Sequence, residues 1–469
     1  MANFSIREEQ FMSTKINKSF LIAAILYLTN IAIQNYNLGK IVDVFTDEGV
    51  YLYSAKLLIQ GLIPFKDFFL AQPPFLLYIV GAIQLITGYN MELFRFLYTL
   101  WVFSAIFPIF FIVRYFTKDN LAATLSILFF STFSELVQWD MHSFAYRQAS
   151  LPFLAFSILL IVIKRSKILA GLLLGLFAIS LISNIFIALS LIISLLLSQY
   201  LIEKKKISQI ITEFSPFVLA FSLISTLTYL GMLLIPHGYD NLIGYQLQRP
   251  FLPFAIRIEW VKLYTLNYNW PILIFGLLGS LFINKKIGLF GLFNIFSLLT
   301  IIFLGRSYYP HYLTILAVGL SVSCGILISY LNKIIITKVI SASFIILIIY
   351  QTSYAYLKTQ LIDERVPGFF SMVTRLTRTP QPLFTFEPIY GLYAKKDLTF
   401  HYNVADMRYF RVTGKNLKEK DYFRIIQNSN SILIEPFASS YLNQEVLNYI
   451  KINFKKIYDD GTNSIYAKI

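Results

Sequence analysis

The chain is 469 residues long, 57% hydrophobic and only 14% charged, with a mean hydropathy of +0.63. Soluble domains average about 25% charged residues and need a polar exterior, so this composition excludes a water-soluble fold and makes lipid the solvent. The net charge of +15 does not imply a nucleic-acid partner: Lys and Arg lie in short runs between apolar stretches, as the positive-inside rule demands, and gather on no one domain.

The N-terminal 18 residues are polar and mixed in charge. The first apolar run ends in Gln34-Asn35-Tyr36-Asn37 without a small-residue cleavage site, so it reads as a retained anchor rather than a signal peptide. Apolar runs near spanning length recur at 18–36, 96–113, 120–138, 146–163, 168–182, 184–202, 213–235, 268–284, 287–304, 312–331 and 339–357. The uncharged stretch 168–202 would exceed ~50 Å as one helix against a ~30 Å hydrocarbon core, so it must turn near 180–184. The single cysteine, Cys324, sits inside an apolar run and reads as inert packing.

The stretch 73–88 is ambiguous, and orientation decides it. Lys15 and Lys18 hold the N-terminus in the cytoplasm. If 73–88 does not cross, Arg114/Lys118, Lys164/Arg165/Lys167, Lys204 to Lys206, Lys285/Lys286 and Lys333/Lys338 all fall inside; if it crosses, all fall outside. It is therefore expected along the outer face as an interfacial helix. The expected fold is an all-α polytopic membrane domain over 1–357, with about eleven spanning helices. Outer loops then cover 37–95, 136–147, 236–267 and 305–312.

From 358 to 469 charges are frequent and apolar runs short, which predicts a small α/β domain on the outer side. Strands are expected at 383–386, 431–434 and 464–467, and helices at 369–376, 417–427 and 444–452. Asp460-Gly461 is a turn signal between 456–458 and the final strand. No Gly-rich phosphate loop and no Cys/His metal spacing occurs there.

The first outer loop carries Thr46-Asp47-Glu48-Gly49-Val50-Tyr51, then Ala55, Gly61, Pro64-Phe65-Lys66-Asp67-Phe68-Phe69 and Pro73-Pro74-Phe75. Thr46 can cap a helix over 47–60, with acids in its first turn favoured by the helix dipole and Gly61 ending it. Asp47 and Glu48 are then simply helix-start residues. A second reading gives them chemistry: the loop returns to the membrane on both sides, and carboxylates over an apolar surface are costly unless used. Trp139-Asp140-Met141-His142 with Arg147, then Arg95, then Arg306 with Tyr309-Pro310-His311-Tyr312, face the same side. An arginine at a span end commonly snorkels to headgroups. Together these groups place carboxylates and cations around one rim, which suits a phosphate-bearing lipid substrate and an acceptor needing deprotonation.

The pattern Asp47-Glu48-x-x-Tyr51, Ala55, Gly61, Asp67-Phe68-Phe69, Pro73-Pro74-Phe75 and Arg95 resembles the first outer loop of the glycosyltransferase C superfamily. The branch it resembles is that of the protein O-mannosyltransferases and the aminoarabinose and galacturonic-acid transferases of lipid A. Asp140, the Tyr309-Pro310-His311-Tyr312 turn and an outer α/β domain fit the same branch. The resemblance implies a transferase in the cell (inner) membrane, using a polyprenyl-phosphate sugar donor and inverting the anomeric centre. By match, Asp47 is the catalytic acid residue, Glu48 its neighbour and Asp140 the second-loop carboxylate. The donor phosphate is assigned to Arg95, Arg147, Arg306 and His311. Tyr51, Lys66, His142, Tyr309 and Tyr312 are assigned to substrate. Oligosaccharyltransferase relatives carry two second-loop acids that help bind a divalent metal, whereas here the spacing is Asp140-x-His142. No cofactor is required, and a divalent metal on Asp140 and His142 stays open.

The chemistry is consistent with single displacement. A phosphate leaving group needs cations rather than a general acid, so one carboxylate serves as base for the acceptor, whether glycan, lipid or protein. Two alternatives remain: a transporter or flippase of lipid-linked sugars, and a non-catalytic assembly protein. The former would show midplane charge and repeated halves, whereas this sequence has almost no charge within the spans and no internal repeat.

Overall fold

The computed structural model describes residues 18–35, 47–133, 144–248, 253–264, 270–281, 288–304, 310–331, 342, 346, 365–399, 419–435 and 441–469. Numbered in chain order, its first helices are α1 (Lys18–Asn35), α2 (Asp47–Ile59), α3 (Phe75–Thr87), α4 (Met91–Phe103), α5 (Ile106–Thr117), α6 (Asn120–Ser131) and α7 (Tyr146–Val162). They continue as α8 (Lys167–Ser180), α9 (Asn184–Leu197), α10 (Ile207–Leu234), α11 (Phe254–Tyr264), α12 (Trp270–Leu281), α13 (Gly288–Leu304) and α14 (Leu316–Leu331). Ten of the eleven predicted apolar runs coincide with helices; the run 339–357 lies outside the described residues except at Ala342 and Ile346. Among the described residues, four stretches are long and apolar enough to cross a membrane: Met91–Thr117, Asn184–Ile202, Ile207–Leu234 and Tyr312–Leu331. The predicted hairpin over 168–202 is present, with α8 and α9 joined at 181–183.

Local chemistry sets the helix ends. Asn90 Oδ1 accepts from Leu93 N at 3.0 Å to start α4, and Asp119 Oδ1 accepts from Leu121 N and Ala122 N to start α6. The interruption between α4 and α5 at 104–105 precedes Pro108, whose ring clashes with the carbonyl four residues back and supplies no N–H.

Close helix contacts rely on small residues, as expected where lipid removes the hydrophobic drive for association. A Cβ at Gly171 would sit 2.2 Å from Phe217 O, and one at Gly279 would sit 2.3 Å from Ser323 O. A buried polar knot adds to this: Asn294 Nδ2 donates to Ser280 Oγ (3.2 Å) and Ser323 Oγ (3.0 Å), linking α12, α13 and α14. Burial separates the helices. The 312–331 stretch is 94% buried and central, whereas α10 is 28% buried and exposes Leu219, Leu223, Leu227 and Leu230 along one side.

The C-terminal part contains α15 (Arg365–Thr377), β1 (Leu383–Phe384), α16 (Pro388–Tyr393), α17 (Glu419–Gln427), β2 (Ser431–Ile434), α18 (Gln444–Asn453), β3 (Phe454–Asp459) and β4 (Ser464–Lys468). The sheet order is β1-β2-β4-β3; β1 runs parallel to β2, and β4 is antiparallel to both β2 and β3. Its own core joins Phe384, Phe386, Ile432, Val446, Ile450 and Tyr466. The predicted strands and helices are all present. The six-residue α16 was not foreseen, and it is the element that reaches α2.

Candidate functional site around helix α2

Helix α2 starts at Asp47 and ends before Gly61, whose φ of +88° suits a residue without Cβ. Each side of α2 meets a different part of the chain.

One side carries Glu48, which is wholly buried. Arg95 on α4, itself 1% exposed, donates Nε to Glu48 Oε1 at 3.0 Å and Nη2 to Oε2. The backbone N–H of Phe144 donates to the same Oε1 at 2.9 Å. The Glu48 carboxylate was expected to help start its own helix; its bonds go to α4 and to the segment before α7 instead. Residue 145 is tied down in turn, because Tyr98 Oη both accepts from Ala145 N and donates to Ala145 O, each at 3.2 Å. The Tyr51 ring meets Tyr146 at 4.3 Å and Phe144 at 6.2 Å between centroids. A second side of α2 packs on α3: a Cβ at Gly81 would lie 2.5 Å from Ile59 Cδ1.

The third side carries Gly49, Tyr53 and Lys56, and it meets the C-terminal part. A Cβ at Gly49 would lie 2.8 Å from Ile389 N. Leu398 N donates to Tyr53 Oη at 2.9 Å, and Lys56 Nζ pairs with Asp397 at 2.8 Å. Burial raises the Tyr53 pKa, as it does that of Tyr393 at the end of α16, which is pushed up to about 12. The Arg95 charge opposes that rise in Tyr393 and the Glu48 charge adds to it, which places this phenol within the field of the ion pair.

The loop between α2 and α3 is held by the segment after α10. Asn241 Nδ2 donates to Phe65 O (3.3 Å) and Gln246 Nε2 donates to Ala71 O (3.1 Å). Lys66 is exposed in that loop. Arg147, in the first turn of α7, lies with its guanidinium carbon 3.6 Å from the centroid of the Tyr312 ring. Below Phe144 lies an apolar cavity of about 300 Å³, lined by Leu76, Val80, Phe94, Tyr98, Phe144 and Phe153 among others.

The structure therefore brings Glu48, Arg95 and Tyr51 into one cluster and Arg147 and Tyr312 into another. Arg95, expected among the donor-phosphate ligands, is enclosed and bonded to Glu48. Asp47 is the first residue of α2, and the described part of Asp47 is its backbone. His311 is likewise described by its backbone alone, in the 3₁₀ turn Pro310–Ile315. Asp140, His142, Arg306 and Tyr309 lie outside the described residues. Among the described residues no group of three or more His, Cys, Asp or Glu side chains forms a metal nest. Sequence reasoning missed the Phe144 N–H and Tyr393. The first is a backbone group with no residue signature, and the second lies some 345 positions from α2, the separation of Tyr53 from Leu398.

No protein-family model matches the chain, and no curated protein matches it. Solved structures do match. ArnT from Cupriavidus metallidurans in the apo state has a TM-score of 0.67 at 11% identity, covering 96% of this chain and 98% of that one. The same protein bound to undecaprenyl phosphate gives 0.67 at 10% identity, covering 97% and 99%. The Archaeoglobus fulgidus oligosaccharyltransferase, in complex with Zn and sulfate, gives 0.59 at 12% identity, covering 95% and 73%. At 10–12% identity the likeness to these transferases is one of fold, and it runs along nearly the whole chain.

Proposed function

We propose that this protein is a membrane glycosyltransferase that moves a sugar from a polyprenyl-phosphate carrier to an acceptor on the outer face, inverting the anomeric centre. The observation that carries the reading is the match over 97% of the chain to ArnT bound to undecaprenyl phosphate. Fold alone permits many functions. The reading therefore also leans on Asp47 as the first residue of α2, next in sequence to Glu48 of the buried ion pair.

In this reading Asp47 takes the proton of the acceptor as that group attacks C1 of the sugar. The C1–O bond to phosphate breaks, and the carrier phosphate leaves with its charge. Arg147 supplies positive charge to the departing phosphate from the first turn of α7; its face contact with Tyr312 sets the plane of the fork. Glu48 and Arg95 hold α2 without touching substrate. The cavity below Phe144 offers hydrocarbon walls to a lipid chain. Its polar neighbours are already satisfied, with Trp101 Nε1 donating to Ala149 O at 2.7 Å. Asp140 and His142 remain candidates for the second-loop position.

Contacts at both ends of α3 support an interfacial course for it and an outer position for residues 358–469. At its start, Ile182 N, in the turn between α8 and α9, donates to Gln72 Oε1 at 3.4 Å. At its end, Lys56 Nζ lies 5.8 Å from the Tyr89 ring centroid while also pairing with Asp397. Both neighbours belong to segments that charge distribution assigns to the outer side.

The test is release of polyprenyl phosphate from a polyprenyl-phosphate sugar by purified protein with cell-envelope lipid or glycan as acceptor. Saturable binding of undecaprenyl phosphate and turnover are expected. Protein that neither binds undecaprenyl phosphate nor releases it from any sugar-linked form would overturn the reading.

A further inference from the structure

Gly49, Tyr53 and Lys56 stand at i, i+4 and i+7 on α2, so they form one stripe on its surface. Each meets the C-terminal part: Gly49 the backbone and Cβ of Ile389, Tyr53 the Leu398 N–H, and Lys56 the Asp397 carboxylate together with Lys396 O at 3.3 Å. Leu398 is 5% exposed, so its N–H has no water to turn to. Gly49 stands in a helix, where any residue but proline has the higher helix propensity, by ~1 kcal/mol for Ala. Glycine is present because α16 comes too close for a Cβ. That is a contact, and a contact whose cost is a weaker helix.

From this we infer that the C-terminal α/β part is a positioning element of the reaction centre. Helix α16 and residues 397–398 clamp a face of α2 about 100° round from the one that Glu48 anchors on Arg95, and so hold the first residue of that helix, Asp47, in register for transfer. The inference rests on the proposed function for its catalytic meaning, but the clamp itself does not. Tyr393, at the end of α16, lies in the field of Glu48 and Arg95, so the same helix touches α2 and faces the ion pair that anchors it.

Three variants of the whole chain test this without altering Asp47, Glu48 or Arg95. In Gly49→Ala the new Cβ meets Ile389 N, a backbone atom that no side-chain rearrangement removes. In Lys56→Asp the pair with Asp397 becomes a repulsion, and Lys56→Asp/Asp397→Lys restores it in reverse. Amide hydrogen exchange over residues 47–59 is read alongside kcat and the donor KM. Gly49→Ala is expected to speed exchange in α2 at least tenfold and to lower kcat about a hundredfold, with donor KM within threefold. Lys56→Asp, a partly exposed pair, is expected to lower kcat only about fivefold. The double swap should recover most of that loss, which general destabilisation would not do. Wild-type values of both exchange and kcat in Gly49→Ala would overturn the clamp. Faster exchange with unchanged kcat, or a fall in kcat with unchanged exchange, would overturn the positioning role. A wild-type protein that transfers no sugar sinks the proposed function, while exchange over 47–59 still decides whether the clamp orders α2.

Discussion

Arg95 and Glu48 form a two-point ion pair in the interior, with Arg95 Nε 3.0 Å from Glu48 Oε1 and Nη2 bonded to Oε2, and neither side chain reaches solvent. The pair fastens α2 to α4, and the Phe144 N–H on the same carboxylate fastens both to the entry of α7. Removing one partner would leave a buried charge unpaired, at a cost of ~3–5 kcal/mol. Glu48→Ala and Arg95→Ala should therefore lower the thermal midpoint markedly in detergent. A Glu48→Leu/Arg95→Met double variant should regain much of the stability but little of the transfer rate. Equal recovery of both would show that the pair has no part in ordering the site.

Asp47 is the proposed base. Asp47→Asn keeps size and most hydrogen bonding while removing the proton acceptor, so transfer should fall roughly 10²–10⁴-fold with undecaprenyl phosphate binding nearly intact. If Asp47 served only to start α2, the change would cost ~0.5–1 kcal/mol of stability and leave turnover unaltered. Rate and melting midpoint measured on the same purified variant separate the two.

Arg147 should contribute to donor affinity. Arg147→Ala is expected to weaken undecaprenyl phosphate binding by ~1.5–3 kcal/mol, the range for a lost hydrogen bond to a charged group. Arg147→Lys should recover part, since it keeps charge and loses the planar fork. Tyr312→Phe retains the ring and should bind like wild type, whereas Tyr312→Ala should not. Direct titration of each variant in nanodiscs reads these outcomes.

Glu435 gives the C-terminal part a pH dependence. Burial pushes its carboxyl up to about 7, against hydrogen bonds from the Thr385 hydroxyl and the Glu387 N–H that favour the charged form. A folded pKa above the unfolded one means that the folded state holds the extra proton. The stabilisation is thus complete below the unfolded pKa near 4.5 and is lost as pH rises toward 7. Thermal stability should be higher at pH 5 than at pH 8, by on the order of 2–3 kcal/mol from this group. Glu435→Gln should flatten the profile between those pH values; an unchanged profile would assign the dependence elsewhere.

Topology can be checked with Lys66 and Asn90, which are exposed on either side of α3. Cysteines placed there in a Cys324→Ser background should both react with an impermeant thiol reagent added from outside. Protection of the residue 90 position in intact cells, with labelling after lysis, would mean that α3 crosses the membrane.

Much of the architecture was legible in the sequence because lipid imposes a simple rule. Every backbone polar group in the hydrocarbon must be satisfied within its own segment, so long apolar runs become helices wherever they occur. That is why the run over 168–202 divided near 180–184 as expected; the strands at 431–434 and 464–468 followed instead from short apolar runs set between polar stretches. The Asp47-Glu48 signature and its link to Arg95 were visible as a motif, but not as a contact. A motif records which residues matter without recording who pairs with whom. Only the tertiary structure decided that Glu48 spends its charge on Arg95 and Phe144 N, and that α16 lies against Gly49. Partners hundreds of residues apart are selected by shape and by the need to satisfy buried donors and charges, and neither leaves a local periodicity. Gly49 shows the division best: the sequence shows a glycine inside a helix, and only Ile389, whose N would lie 2.8 Å from a Cβ added there, explains it.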